Sequence, residues 1–241
     1  APAVGLTEDQ IRIIQNPTGS SFGSSITPGP TALVAACTIA LDKPVTLTFS
    51  YPEHMLFSGK RAASFANAAL ACDAAGKIIG LEYDLALDTG AYAEETVHVV
   101  HKCLRFIGNP YNVPNINGMV KGVLSNNAYG IMYRSFGSPQ AYMVFESLMD
   151  MMAAEIGMDP FEFRYINLAR PGDTTVNSFP YREYPMVEMM DKMRPYYQEA
   201  CARAKAVSTA TVKRGIGLTW SGFHVANHND VAEVALELNA D

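Results

Sequence analysis

The stretch YGIMYRSFGSPQAYMVFESLMDMMAAEIGMD, residues 129–159, decides the fold. Its first part, Tyr133, Arg134, Ser135, Phe136, Gly137, Ser138, Pro139 and Gln140, reads as a loop. Its second part spaces Met143, Phe145, Leu148, Met149, Met152 and Ile156 by threes and fours, the period of one helical face. Pro139 suits a first helical turn, where a missing N–H is harmless. Gly157 suits the residue after a helix, where φ turns positive. The stretch therefore predicts an arginine and an aromatic on a loop that feeds a helix N-terminus. Free backbone N–H groups and the helix dipole at such an end favour an anionic or electron-rich ligand. An ordinary loop-to-helix junction with a neighbouring arginine fits the same residues.

Downstream, Pro160 opens a second helix in which Phe161, Tyr165, Ile166 and Leu168 face inward and Phe163 lies opposite. Residues 169–174, ARPGDT, form a turn, and 175–184 lack periodicity and read as a surface loop. Residues 185–206 have helical spacing through Met186, Met189, Met190 and Met193, a stripe that reads as core packing. Residues 213–220 and 231–238 read as strands.

Upstream, 116–125 is a strand, 108–115 a loop containing Pro110 and Pro114, and 95–106 a helix. Residues 65–72 and 77–87 are two strands around the turn Asp73-Ala74-Ala75-Gly76. Residues 45–51 alternate as a half-buried strand, and 31–41 are apolar nearly all round, as a buried helix is. In the loop between 51 and 61, Glu53, His54, Lys60 and Arg61 either line a site or sit in solvent. Residues 11–15 are β-type, and a Gly/Ser/Pro loop follows from Asn16. Such a loop brings backbone N–H groups close to a ligand, or simply connects. Without a regular βαβ rhythm, the fold class is α+β, a mixed or antiparallel sheet with packed helices.

The 241 residues are 49% hydrophobic and 17% charged, with a net charge of −6. That composition supports a substantial core, and the absence of a basic run speaks against a nucleic-acid partner. No apolar stretch reaches the ~18–20 residues of a bilayer span. The N-terminus lacks the pattern of a signal peptide, so a cytoplasmic location is expected. The chain begins at Ala1 without Met, which suggests a processed chain or a piece of a longer protein. Cys37, Cys72, Cys103 and Cys201 are far apart and form no C-x-x-C pair, so no disulfide framework or iron–sulfur site is expected. Among five histidines, His98 and His101, and His224 and His228, are spaced for a metal pair but have no further ligands.

Four longer stretches carry a family resemblance. YRSFGSPQAYMVFESLMDMMAAEIGMDPFEFRYINLARPGDT resembles the F-R-G-[FY]-G-x-P-Q segment and following helices of the molybdenum hydroxylases, the family of xanthine oxidoreductases and bacterial aldehyde oxidoreductases. NPTGSSFG, residues 16–23, is similar to that family's earlier G-G-x-F-G loop. LVAACTIALDKPVTLTFSYPEHMLFSGKR and RFIGNPYNVPNINGMVKGVLSNNAYG are similar to the segments between. The likeness is strongest to the aldehyde oxidoreductases of anaerobic bacteria. It implies a chain covering part of the molybdopterin-binding region: residues 1–206 within the first such domain, and 207–241 the start of the next.

The resemblance also implies roles. Arg134 matches the family's loop arginine beside the pterin and molybdenum, and Gln140 the P-Q position. Phe22 and Gly23 match the loop facing the metal, and Phe136 the aromatic bordering the substrate channel. Ser135 stands where the family has Gly in the Arg loop, and Ser20 replaces the second Gly of the earlier loop. Ser24, Ser25, Ile26 and Thr31 also depart from the pattern. The family hydroxylates aldehydes or N-heterocycles with oxygen from water. The implied cofactor is molybdopterin with molybdenum, shared with segments outside this sequence; no iron–sulfur or flavin fingerprint occurs. The implied partners are the remaining molybdopterin-binding and iron–sulfur domains and a small aldehyde. The family's base, a glutamate in G-x-G-E, has no counterpart here, so no catalytic residue and no protein metal ligand is assigned. Either the chain is one piece of a hydroxylase, which predicts an exposed apolar face, or it is an inert scaffold, which predicts a closed surface. A free-standing enzyme is disfavoured by half a cofactor site and no placed base.

Overall fold

The computed structural model describes residues 4–14, 16–17, 19, 21–23, 26, 29–93, 95–181 and 185–223. The expected strand 231–238, His224, His228, Ser20, Ser24 and Ser25 lie outside them. In chain order the described elements are α1 (Gly29–Leu41), α2 (Tyr51–Phe57), β1 (Ala63–Cys72), β2 (Ile78–Gly90), α3 (Thr96–Phe106), β3 (Ile116–Leu124), α4 (Ser138–Glu155), α5 (Pro160–Asn167) and α6 (Met186–Val207).

β1 and β2 pair antiparallel, the hairpin the sequence predicts. Its turn is held by Asp73, whose Oδ1 accepts the N–H groups of Ala75 at 2.9 Å and Lys77 at 2.8 Å. β3 lies parallel to β2, giving the order β1-β2-β3. A parallel neighbour needs a crossover, and α3 supplies it. The sheet is mixed, consistent with the α+β class. Along β2, Leu81, Tyr83, Leu85 and Leu87 are buried, while Glu82 and Asp84 are exposed, so one face carries the core. α4 packs on β1 and α3, α3 also on β3, and α5 lies between α4 and α6.

α4 spans the predicted helix, with Pro139 in its first turn. It ends in the predicted turn: Gly157 has φ 66°, Met158 N–H donates to the Ala153 carbonyl at 2.9 Å, and Gly157 N–H to Ala154 at 3.2 Å. Its buried line differs from the expected one. Ala141, Phe145, Met149 and Ala153 are fully buried, whereas Met143 is 57% exposed. Counting only large apolar residues overlooks the alanines, which let the helix approach its neighbours closely. α5 begins at the Asp159 cap, whose carboxylate accepts from Phe161 and Glu162 N–H. Phe161 and Phe163 are both buried, because α5 has packing partners on both sides. Arg164 is buried with them. Its Nε donates to Glu146 Oε2 at 2.8 Å and its Nη1 pairs with Asp150 at 2.7 Å, while Tyr111 O–H donates to Glu146 Oε1 at 2.7 Å. The buried charges are thereby matched, as a dry interior requires.

Several expectations are corrected. The 31–41 helix forms as α1, but none of its residues is buried. Residues 45–50 are not a strand, for no strand among the described residues pairs with them. Ser50 instead opens α2 through a capping box with Glu53, so the expected loop is partly helical. Among the described residues, 11–14 and 213–220 join no ladder either. In the methionine stripe of α6, Met186 and Met190 are buried, but Met189 and Met193 are half exposed.

Candidate functional site

Three segments far apart in sequence meet at the loop before α4. The link begins as a parallel bridge: Lys60 N–H donates to the Tyr129 carbonyl and Ile131 N–H to the Lys60 carbonyl, both at 3.0 Å. It brings Arg61 and Ala62 beside residues 131–140. The third segment, Ser21 to Gly23, docks through one main-chain bond, Arg134 N–H to the Phe22 carbonyl at 2.7 Å. The local backbone is unusual there: φ is 47° at Phe22, 104° at Gly23, 61° at Ser135 and 79° at Gly137. A Cβ on Gly23 would lie 1.8 Å from the Met132 carbonyl oxygen, so only glycine permits this approach. At Gly137 the Cβ would lie 2.5 Å from the Val99 carbonyl oxygen, which ties the loop tightly to α3. Ser135 adopts its positive φ with a side chain, a conformation that strains an L-residue by about 1–2 kcal/mol.

The predicted residues fall into two groups. Phe22, Gly23, Arg134 and Ser135 come together. The Arg134 guanidinium carbon lies 5.9 Å from the Phe22 ring centre, and the Phe22 and Tyr133 rings are 6.4 Å apart. Arg134 and Ser135 are exposed, and Arg134 forms no ion pair among the described residues. An exposed cation with its main chain fixed is suited to an oxyanion. Phe136 turns toward a different neighbourhood. Its ring meets Phe223 edge-on at 6.0 Å, and Lys102 Nζ lies 5.7 Å from Phe136 and 5.1 Å from Phe223. Between the first turn of α4 and residues 221–223 opens a cleft of about 460 Å³, with Ser135, Ser138, Tyr142 and Phe223 on its walls. Ser138 Oγ donates to the Gly222 carbonyl at 3.2 Å across it. Burial pushes the Tyr142 hydroxyl up to about 12, so it remains a neutral phenol.

Gln140 does not bond to the arginine loop itself. It is 4% exposed, and its Nε2 donates to the Ala62 carbonyl at 3.4 Å while its Oε1 is buried with no hydrogen-bond partner among the described residues. Behind the loop, Cys103 donates to the Gly137 carbonyl at 3.1 Å, and burial pushes its thiol up to about 12. It is an inert prop rather than a nucleophile.

Arg61 is the residue whose place the sequence left open. Its Nη2 donates to the Arg134 carbonyl at 2.7 Å, and its guanidinium carbon lies 5.1 Å from the Tyr133 ring centre. Its Nη1 is buried without a hydrogen-bond partner among the described residues. No sequence signal announces a bond across 73 residues. Glu53 and His54, grouped with it as candidates, belong instead to α2: Glu53 accepts from Ser50 and the His54 carbonyl accepts from Ser58. His98 and His101 lie on α3, His98 pairing with Glu95, and no metal-holding cluster occurs among the described residues.

Comparison with known proteins follows the same residues. The chain is 38% identical over its whole length to an aldehyde oxidoreductase of Megalodesulfovibrio gigas, of which it spans 27%. It is 31% identical, over 71% of its length, to the nicotinate dehydrogenase large molybdopterin subunit of Eubacterium barkeri, covering 40% of that protein. The crystallised aldehyde oxidoreductase of Desulfovibrio gigas superposes with a TM-score of 0.84 at 38% identity, over 87% of this chain and 23% of that one. This chain thus spans about a quarter of the length of the aldehyde oxidoreductase it matches. The family model described as the molybdopterin cofactor-binding domain matches residues 1–168, and the chain belongs to that family.

Proposed function

We propose that the chain is the part of an aldehyde oxidoreductase that holds one side of a molybdenum cofactor, within a larger assembly of molybdopterin-binding and iron–sulfur domains. The observation that carries the reading is the docking of Phe22 on Arg134, by a 2.7 Å main-chain bond with the guanidinium beside the ring. It joins the two segments whose motifs match the family's cofactor loops. The residues fit such a group. Gln140 Oε1 is a buried acceptor with no partner among the described residues, on a side chain tied to Ala62. A pterin has donors to satisfy it, and buried polar atoms are ordinarily paired.

When bound, the molybdenum cofactor supplies the two-electron chemistry that introduces a water-derived oxygen. In this reading Arg134 holds negative charge there as a fixed cation. Phe22 and Gly23 bring main chain close, because no Cβ stands in the way at Gly23. Ser135 and Gln140 complete the protein side of the cofactor. Phe136 borders the channel for a small aldehyde, which the cleft beside Phe223 would admit. Glu146 is committed to Arg164 and Tyr111, so it does not serve as the base. The assignment of residues 1–206 to one molybdopterin-binding domain and 207–241 to the next, and a cytoplasmic location, belong to the same reading. The inert-scaffold alternative expects a closed surface, whereas Leu33, Leu41, Tyr51, Leu56 and Phe65 are exposed.

The test is molybdenum and pterin content of the protein as isolated with its partners, by elemental analysis and mass spectrometry of the intact complex. Stoichiometric molybdenum, strongly reduced by Arg134→Ala, is the expected result. A metal- and pterin-free complex overturns the reading. The partner-free chain is expected to show no aldehyde oxidation.

A further inference from the structure

Arg134 is held at both of its main-chain polar groups. Its N–H goes to the Phe22 carbonyl at 2.7 Å, and its carbonyl accepts Arg61 Nη2, also at 2.7 Å. The two anchors come from opposite directions in sequence, one from the Gly23 loop and one from the end of the 51–61 segment. Arg61 is itself held: the bridge of Lys60 to Gly130 fixes its main chain, and the Tyr133 ring lies against its guanidinium. Gln140 adds a further tie to the next residue, Ala62. A planar fork that donates from one nitrogen while its plane rests near an aromatic face has little freedom left.

This arrangement has a chemical use. A cation that steadies an oxyanion does so well only if its backbone cannot retreat, because binding energy is lost in ordering the group. The long Arg134 side chain starts from a loop in which Ser135 is strained and Gly137 is pressed on α3. Its position is therefore set by what grips the peptide on either side.

We propose that Arg61 is the positioning residue of the arginine loop, fixing the Arg134 carbonyl so that the Arg134 guanidinium meets the anionic ligand. The inference rests on the reading of Arg134 as a cofactor-holding residue. Arg61 acts through Arg134. Lysine is no substitute, because a compact ammonium lacks the rigid planar fork that reaches the carbonyl from beside the ring.

The test uses the assembled protein with its partners, comparing wild type, Arg61→Met, Arg61→Lys and Arg134→Ala. Pterin is measured by fluorescence after oxidation, molybdenum by elemental analysis, and the loaded fraction by the electron paramagnetic resonance of its reduced molybdenum. Loss of a residue that orients a ligand group typically lowers affinity or activity 10–100-fold. Arg61→Met is accordingly expected to lower pterin retention, after dilution or gel filtration, by at least about tenfold. Its remaining loaded fraction should give a shifted resonance spectrum. Arg61→Lys keeps the charge and the fold, and is expected to shift the spectrum in the same sense. Wild-type retention and spectrum in both Arg61 variants, with loss in Arg134→Ala, overturns the inference alone. A lowered Tm with an unchanged spectrum in the loaded fraction also overturns it, since Arg61 would then be merely structural. Full retention in Arg134→Ala overturns the underlying reading, and this inference with it.

Discussion

α1 and α4 have similar apolar content and opposite fates. α1, GPTALVAACTIAL, has no charged residue at all, yet none of its residues is buried, and Leu33 is 51% exposed. α4 carries Glu146 and Asp150 and still buries Ala141, Phe145, Met149 and Ala153 completely. The difference is neighbours. α4 is enclosed by β1, α3 and α5, and its one buried carboxylate is answered by Arg164 and Tyr111. Apolar composition supplies a drive to leave water, but a surface must be present to receive it. In a chain that spans about a quarter of its aldehyde oxidoreductase relative, an apolar helix with nothing buried supports the proposal that further domains pack there.

The sharpest way to break this contrast is to truncate both helices. Phe145→Ala, at a fully buried ring, is expected to destabilise the chain by about 3–5 kcal/mol in urea unfolding. Leu33→Ala is expected to change stability by no more than about 0.5 kcal/mol. Equal losses would mean that α1 is packed in solution, and that the contrast is wrong.

Helix caps sharpen the same comparison at lower cost. Asp159→Ala removes the cap of α5, which is buried on both sides, and should cost about 1 kcal/mol. Glu53→Ala opens the capping box of α2, which buries nothing, and global unfolding should not register it. A cooperative loss from Glu53→Ala would place α2 inside the folding unit.

The smallest effect concerns the loop itself. Ser135→Gly relieves a left-handed serine, worth about 1–2 kcal/mol, but loosens the unfolded chain by about 0.4–1 kcal/mol. A net gain of about 0–1.6 kcal/mol is expected in the same unfolding assay. A net loss would mean that the serine side chain contributes contacts which offset its strain.

Local chemistry was enough to place several elements. The hairpin follows from two alternating runs around an Asp-started, Gly-ended turn, and α4 from Pro139, its periodicity and Gly157. Capping, turn geometry and period act over a few residues, so a sequence displays them directly. The candidate residues of the arginine loop and the Phe22-Gly23 loop were picked out by family likeness. Their spacing alone favoured an ordinary loop-to-helix junction.

The tertiary structure decided everything that depends on a distant partner. The alternation at residues 45–50 found no strand to pair with among the described residues, and strand structure exists only in a ladder. Among the described residues, 213–220 likewise join no ladder. The composition of α1 expressed a preference for burial that this chain does not satisfy. Arg61 was one basic residue among several in an apparent loop until its guanidinium was seen on a carbonyl 73 residues away. Hydrogen bonds and burial between segments far apart in sequence are properties of the folded geometry, and single-residue chemistry does not encode which partner will arrive.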